Sequence, residues 1–544
     1  MVHLRKHILA LAASAAATLG LAAAASDPPA LEFYPDDPLA ATPEPGKLGK
    51  VSKRSTDALY DFLYQSLRPR NQPLTASEAV NTLGEVPDSS WYTNRHASRR
   101  MSIEELKRGP GDANAPVPPY EVIGGKTEGI TPGFTLRDAR GRMYFVKPDP
   151  ASNPELATAA DVIGSKFFYA LGYNTPENYI LYFRLEELKL GEKATVRGVT
   201  GNKRRMTTRD MAIILDKVPR NSDGRMRLIA SLSLPGEPVG PFKYEGTRAD
   251  DPNDVVAHDR RRDLRGLFVF CAWLNHTDSK QGNTLDTLVE ANGRRLIRHY
   301  LIDFGAMLGS DSDKAKDARL GHGYMFPTGK ETLRGMGTFG LAPHDWELAD
   351  YPHLKAVGRF EAKIFEPGKW RSNYPNPAFL SRTPQDEYWA ARQIMAFTNE
   401  EIRALVDTGQ YSDPRVPEYI AKALAERRDK IGRAYFQKVL SIDHFRVEEG
   451  QLSFKDLSFQ YGFTGQRLFQ YSWGRYDNAA RRAESISGET TAKLPAAWAS
   501  APPESYFRVE IHAVNDEARR VFVYLRKHNG APQLVGIQRT SVNP

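Results

Sequence analysis

Apolar positions along this chain change their spacing several times, and each change marks a predicted element. Between residues 56 and 67, Leu59, Phe62, Leu63 and Leu67 recur at three- and four-residue intervals, which predicts a helix packed by that face. Residues 71–118 are polar and broken by Pro and Gly, and Trp91 reads there as an exposed ring. Strand texture begins at Tyr120. Residues 120–123 read as a strand, 124–133 as a glycine-containing loop, 134–137 as a second strand, 138–141 as a turn and 142–147 as a third strand. A helix over 154–171 follows, with Val162, Ile163, Phe167, Phe168 and Leu171 apolar and Gly172 as its stop, before a strand over 178–183. Residues 259–275 predict a strong helix, because Leu264, Leu267, Phe268, Cys271 and Leu274 share one face. A polar loop, 276–283, leads into a hairpin of 284–289 and 295–302 about Asn292-Gly293, a pair suited to a tight turn. Helices are predicted over 390–405 and 417–436. From Asp443 the pattern turns to short strands, the last two (520–526 and 533–538) flanking Asn529-Gly530.

Composition narrows the class. The chain has 544 residues, 41% hydrophobic and 26% charged, which excludes a disordered, collagen-like or multi-span membrane protein. A net charge of +8 over this length falls short of a nucleic-acid footprint, so no nucleic-acid partner is expected. Cys271 is the single cysteine, which excludes an internal disulfide and any multi-cysteine zinc or iron–sulfur site. Arg5 and Lys6 precede an apolar run, 8–25, that closes on Ala23-Ala24-Ala25 before Ser26. This is the three-part pattern of a secretory signal peptide, and it predicts export to the periplasm or exterior, with no stable membrane span after cleavage. No cysteine lies near the cleavage region, so a lipoprotein anchor is not expected. Residues 26–49, rich in Pro and Ala, read as a linker.

Three features carry the candidate chemistry, in fixed order. Lys147 ends the third strand in Tyr144-Phe-Val-Lys147; the polar loop reads His276-Thr-Asp278-Ser-Lys280-Gln-Gly-Asn283; and the strand after the hairpin ends in Asp303-Phe-Gly305. The loop carries His, Asp, Lys and Asn at the spacing of a protein-kinase catalytic loop, and the tripeptide is the kinase D-F-G motif. In these residues the chain resembles the protein-kinase-like superfamily, and its atypical members (HipA-type, spore-coat and secretory-pathway kinases) more than ordinary Ser/Thr kinases. The resemblance implies ATP and Mg²⁺, with Mn²⁺ also acceptable, and a role for each matching residue. Asp278 would take the acceptor's proton, Asn283 and Asp303 would hold the metal, Lys147 would clamp the phosphates and Lys280 would steady the transferred group. Such a lysine needs an acidic partner on the next helix, and both Glu155 and Asp161 qualify; Asp161, inside the helix, matches the HipA-type placement better. Gly124, Gly125 and Gly129 are candidate nucleotide contacts, although with Gly133 they do not spell G-x-G-x-x-G. Gly125-Lys126-Thr127 mimics the end of a P-loop but lacks the earlier glycine, since Tyr120 stands there.

The fold implied is α+β and bilobal: a small β-rich N-lobe with one helix over 119–184 and a larger, mainly helical C-lobe over 185–440. An N-terminal extension (26–118) and a C-terminal β-rich module (441–544) complete the chain. No A-P-E follows Asp303, and the interval from Asn283 is lengthened by the hairpin, so acceptor recognition cannot be borrowed from ordinary kinases. The expected function is an exported phosphotransferase acting on a hydroxyl acceptor, an envelope or secreted protein first, a glycan or small molecule otherwise. AMP transfer on the same fold, or a non-catalytic kinase-like binding module of the cell envelope, are the alternatives. The remaining features have plainer readings. His276 is a structural loop residue, Asp259-Arg-Arg-Arg-Asp263-Leu-Arg265 a solvated helix face, and Gly201-Asn-Lys-Arg-Arg205 a solvent-exposed basic loop. Trp273 is core packing and Cys271 an inert buried thiol.

Overall fold

The computed structural model describes residues 28–69, 73–126, 133–197, 203–216, 218–221, 223–291, 293–337 and 343–542. The signal-peptide pattern, Gly129 and Asn292 lie outside them. Two compact units emerge, one formed by 35–437 and one by 438–544 together with the segment that ends at Tyr34.

In the larger unit, α1 (Ala58–Leu67) starts where Asp57 accepts from the amides of Leu59 and Tyr60, and α2 (Ile103–Arg108) starts at a Ser102/Glu105 capping box. Strands β1 (Tyr120–Lys126), β2 (Gly133–Arg137) and β3 (Met143–Pro148) form a meander, followed by α3 (Ala157–Ala170) and β4 (Asn178–Phe183). The sheet continues past residue 184 through β5 (Leu188–Arg197), β6 (Lys203–Arg205), α4 (Thr208–Leu215) and β7 (Met226–Leu232). Its seven strands run β4-β7-β3-β2-β1-β5-β6, so β7 is inserted beside β3, with Lys147 opposite Ile229. Val122, Phe134, Leu136, Tyr144, Val146 and Leu228 form the core of one face, with Ile214 and Leu215 of α4 packed on it.

The rest of this unit is mainly helical. Strands β8 (Glu237–Gly240), β9 (Thr284–Ala291) and β10 (Arg294–Leu301) make a small antiparallel sheet around the entry and exit of α5 (Arg262–Leu274). Every residue of α5 from Asp263 to Leu274 is buried, as befits a helix enclosed on all sides. Helices α6 (Gly329–Gly337), α7 (Pro377–Leu380), α8 (Pro384–Met395), α9 (Asn399–Asp407) and α10 (Arg415–Phe436) follow. The fold class is therefore the expected one: α+β, a β-rich part followed by a mainly helical part. Among the described residues no helix is long and apolar enough to cross a membrane.

Several local expectations are corrected. The helix predicted over 390–405 is two helices, because Thr398 opens a new capping box with Glu401 just after α8 ends. Gly124 and Gly125 belong to β1 rather than to a loop: they pair with Thr135 and Phe134, past a bulge that follows Val122. Trp91 is buried, its ring stacked 3.5 Å from His299 and covered by the Arg261 guanidinium. The charged run 259–265 is no solvated face. Arg261, Asp263 and Arg265 are buried, and Arg262 and Arg265 converge on Asp386 at the start of α8. The face of α1 expected to pack is largely in solvent, with Leu59 66% and Leu67 72% exposed; only Phe62 engages, against Phe326 and Tyr374. In the basic segment, Lys203–Arg205 is the exposed edge strand β6, and Arg204 is held by Asp210.

The smaller unit is β-rich, as the alternating pattern predicts. A hairpin, β11 (Ile442–Glu448) with β12 (Gln451–Asp456), accompanies a five-stranded antiparallel sheet. Its strands are β13 (Phe469–Asp477), β14 (Arg482–Ser485), β15 (Tyr506–Ala513), β16 (Asp516–His528) and β17 (Ala531–Arg539), in the order β14-β13-β15-β16-β17. Trp473, Phe507, Ile511 and Val523 fill its core. Phe33, from the other end of the chain, packs among Tyr476, Tyr506 and Tyr524.

Candidate active site

The alternation of β3 decides where Lys147 goes. Tyr144 and Val146 face the sheet's core, so Phe145 and Lys147 take the opposite face. There the Lys147 ammonium meets Asp303, Nζ to Oδ1 at 2.8 Å, with a third of each side chain still open to solvent. Burial works against the charge on Lys147, but Asp303 and Asp161 outweigh it and raise its pKa. Burial likewise works against ionised Asp303, and Lys147 beside it holds the carboxyl below its ordinary range. Both partners are therefore charged at neutral pH.

The ion pair of Lys147 is thus with Asp303 rather than with the expected Asp161, which is buried on α3 and bears on the lysine through its nearby charge. The Asp161 Oδ1 accepts from Asn178 Nδ2 (2.8 Å) and from the backbone N–H of Phe304 (3.2 Å). Burial pushes its pKa up to about 7 against the pull of Lys147, and the charge of Asp303 adds to the rise. Glu155 is committed elsewhere: its carboxylate accepts from the backbone N–H and the hydroxyl of Ser412. Helix α3 begins only at Ala157, where Asp149 accepts from the Thr158 amide and hydroxyl, and Glu155 stands before it with φ of 65°.

Asp303 itself has φ of 61°, a left-handed conformation that costs a non-glycine residue about 1–2 kcal/mol and that turns the carboxylate out of the line of β10. Phe304 is fully buried and stacks on Phe168. Gly164 makes this seat possible, since a Cβ there would fall 2.6 Å from Phe304 Cβ and 2.4 Å from Met307 Sδ.

The loop after α5 supplies the second half of the site. Asn275 ends the helix in the left-handed region, and the His276 amide closes back on the Cys271 carbonyl. Burial lowers the His276 pKa to about 4, and the neutral ring packs against both Phe168 and Phe304, its Nδ1 3.4 Å from the Ala306 carbonyl. It is a strut between the two motifs, as the sequence suggests. Burial also raises the Cys271 thiol to about 12, which makes it inert; its Sγ lies 3.0 Å from Ser279 Oγ. Asp278 is held from three directions. Lys280 Nζ lies 2.9 Å from its Oδ1, Asn373 Nδ2 donates to the same oxygen, and Asn283 Nδ2 donates to Oδ2. The Asn283 carbonyl accepts from the Ile302 amide, which ties this loop to the residue just before Asp303.

Lys147 with Asp303, and Asp278 with Lys280 and Asn283, thus form two groups joined by the Ile302–Asn283 hydrogen bond, with Asp161 behind Phe304. Gly124 and Gly125 lie within β1; Met206 and Ile214 fill the space that a side chain at Gly125 would need, so packing accounts for that glycine. Sequence reasoning missed the segment that braces the loop from outside. Trp370 Nε1 donates to Asn275 Oδ1, the Asn373 amide to the Thr277 carbonyl, and Asn376 Nδ2 to the Ser279 carbonyl. Its only sequence signal was turn chemistry in Ser372-Asn373-Tyr374-Pro375-Asn376. Lys316 was missed too. It is buried, its pKa is lowered by burial to about 8, and it donates to Thr277 Oγ1 and the Ala306 carbonyl.

Kinases are among the structures this chain resembles. A proinflammatory kinase of Helicobacter pylori, CtkA, aligns over 56% of this chain and 94% of its own, at 12% identity and a TM-score of 0.30. A Golgi casein kinase with Mn/ADP bound aligns over 61% of this chain and 74% of its own, at 11% identity and a TM-score of 0.28. A further structure of the Golgi casein kinase gives 10% identity and a TM-score of 0.28, over 61% and 72%. No family profile and no curated protein matches the chain. Likenesses this faint assign no chemistry, and the functional reading rests on the geometry of the site.

The donor types at Asn283 and Asp303 are those a small divalent ion with open positions accepts. Among the described residues no group of three or more His, Cys, Asp or Glu is placed to enclose a metal. Asp303 and Asn283 instead offer hard oxygen donors on two segments tied together by the Ile302 amide; the Asn283 nitrogen is spent on Asp278, which leaves the amide oxygen as its acceptor. One carboxylate and one amide, with other positions left to phosphate and water, is a donor set that Mg²⁺ accepts.

Proposed function

We propose that this chain is a kinase-like phosphotransferase that moves the γ-phosphoryl group of ATP to a hydroxyl acceptor. The Lys147–Asp303 ion pair at 2.8 Å, joined through Ile302 and Asn283 to the Asp278 loop, carries the reading. Phosphoryl transfer asks little covalent work of a protein; it asks for positioned charge. Asn283 and Asp303 would hold Mg²⁺, which neutralises phosphate oxygens when bound. Lys147, kept charged by Asp303 and Asp161, draws the phosphates onto the floor of the β-rich part. Asp278 is oriented by Asn373 and Asn283 to take the acceptor hydroxyl's proton. The bond from that oxygen to the γ-phosphorus forms while the bond from the phosphorus to the β,γ-bridging oxygen breaks, and ADP leaves with the electron pair. Lys280, beside Asp278, faces the charge on the group in flight. The reading includes export, with a protein of the envelope or exterior as acceptor.

Mass spectrometry of the mature protein after incubation with ATP and Mg²⁺ tests this. Addition of phosphate to the protein or to an added acceptor, abolished in Asp278→Asn by about 10²-fold or more, is the expected result. Addition of AMP instead would replace the transfer chemistry while keeping the site. Absence of any thermal shift with ATP and Mg²⁺, in both the parent and Asp303→Ala, would leave a non-catalytic binding module.

A further inference from the structure

The helix α1 lies outside the region that carries the kinase resemblance, yet it lines a cleft of about 680 Å³ that the catalytic-type loop also lines, at Ser279, Lys280 and Gln281. Clefts of this size hold ligands. Resting on the function proposed above, we infer that this cleft is the acceptor site, and that it takes a polypeptide segment carrying Lys or Arg next to the hydroxyl that is modified.

Position comes first. Asp278 and Lys280 are joined at 2.9 Å, so a chain lying in the cleft passes directly by the group assigned to take the acceptor's proton. Tyr374 braces α1 against this end of the cleft: its hydroxyl donates to Asp61 Oδ2 at 2.6 Å, and its ring meets Phe62. Tyr374 directly follows Asn373, which orients Asp278. Helix α1 and the base are therefore set by one short segment.

The charge of the cleft decides the chemistry. Glu245 is already satisfied by Arg68 at 2.6 Å, and Lys280 by Asp278. Asp57, Asp61 and the exposed Lys243 remain, so two carboxylates face one ammonium. Asp57 accepts the amides of Leu59 and Tyr60 and Asp61 accepts a neutral hydroxyl, and among the described residues no cation pairs with either. Between these two carboxylates in sequence stands Tyr60, 67% exposed and stacked on Tyr64, its ring open to solvent beside the cleft. The protein shows what such a surface binds. One turn further along, the Arg68 guanidinium lies 5.3 Å from the Tyr64 ring centre, donates to the Tyr64 hydroxyl and pairs with Glu245. A cation over an aromatic face with a carboxylate alongside is a favourable and selective arrangement. Tyr60 with Asp57 and Asp61 repeats its parts without the cation. A basic acceptor side chain completes them; an acidic one meets two carboxylates.

The test uses the full mature chain and two serine-containing peptides, one with arginines flanking the serine and one with glutamates. Binding of each, fluorescently labelled and without nucleotide, is read by anisotropy, and transfer from ATP–Mg²⁺ by mass. Expected are tighter binding and faster transfer for the arginine peptide, by at least about tenfold, weakening as salt rises. Tyr60→Ala, at an exposed ring, and Asp57→Asn with Asp61→Asn should erase that preference while ATP–Mg²⁺ binding, read by thermal shift, stays as in the parent. Equal or better use of the glutamate peptide, transfer to a glycan alone, or a preference that survives these substitutions would overturn the inference and leave the kinase reading intact. Arginine-peptide binding lost in the variants supports the site even where no transfer is seen. A parent that binds neither nucleotide nor peptide overturns both readings.

Discussion

Lys147, Asp303 and Asp161 form a small electrostatic balance in which each charge sets its neighbours' state. With Lys147 replaced by Met, buried Asp161 and partly exposed Asp303 lose their cation. Because the Lys147–Asp303 pair is partly open to water, the expected loss of stability is modest, about 1–2 kcal/mol by denaturant titration. Transfer activity should fall far more, by about 10²-fold or beyond, since the lysine acts where charge develops. Lys147→Arg should not restore it, because the planar fork does not fit a seat shaped for a compact ammonium. His276 gives a prediction of a different kind. Its native pKa of about 4 lies below the ordinary 6.5, so between these values the unfolded chain binds the proton that the native ring refuses. The His276 contribution is thus intact above pH 6.5 and declines as pH falls toward 4, by about 3 kcal/mol. Asp161 acts in the opposite sense: with a native pKa of about 7 against 3.8, it gains a proton on the native side first, and stabilises as pH drops through 7. Melting curves of the parent and His276→Asn from pH 7 to 4 separate the two, and the variant should lose less stability on acidification.

At the level of elements, the site depends on how closely α3 approaches the end of β10. Gly164→Ala places a methyl 2.4 Å from Met307 Sδ and 2.6 Å from Phe304 Cβ. The expected cost is about 1–3 kcal/mol of overpacking, with displacement of Asp303 and a loss of ATP–Mg²⁺ binding. Gly368→Ala, where nothing stands within 4 Å, is the control and should change neither melting temperature nor binding. The same scale shows what periodicity conveyed and what it left out. The strand pattern placed Lys147 at the end of β3, and the spacing from Asp278 to Asn283 kept both residues on one loop. Strands β5 to β7 were passed over because their sequence alternates weakly and is broken by charges; β7 is made a strand by lying between β3 and β4. The break between α8 and α9 was legible in Thr398 and Glu401 but was masked by the apolar run across it.

For the molecule as a whole, the division into two units follows packing rather than chain order. The segment ending at Tyr34 belongs with residues 438–544, where Phe33 is buried among three tyrosine rings. Phe33→Ala should destabilise the β-rich unit by about 3–4 kcal/mol, seen as a lower denaturation midpoint and as new proteolytic cleavage near residue 33. ATP–Mg²⁺ binding, whose residues lie in the other unit, should be unchanged.

The sequence by itself determined the order and chemistry of the motif residues, because a catalytic-type loop and a strand-end lysine are local patterns that short-range periodicity exposes. It also determined that Cys271 and His276 are not reactive groups, since each sits on an apolar face or at a helix end. Only the tertiary structure decided which distant residues complete these patterns. Asn373 reaches Asp278 across 95 positions, Asp386 draws in Arg262 and Arg265, and His299 and Arg261 enclose Trp91. It also decided that α1 walls a cleft instead of covering a core. The reason is physical: hydrogen bonds and burial depend on proximity in space, and a polar residue in a sequence carries no mark of the partner that will satisfy it.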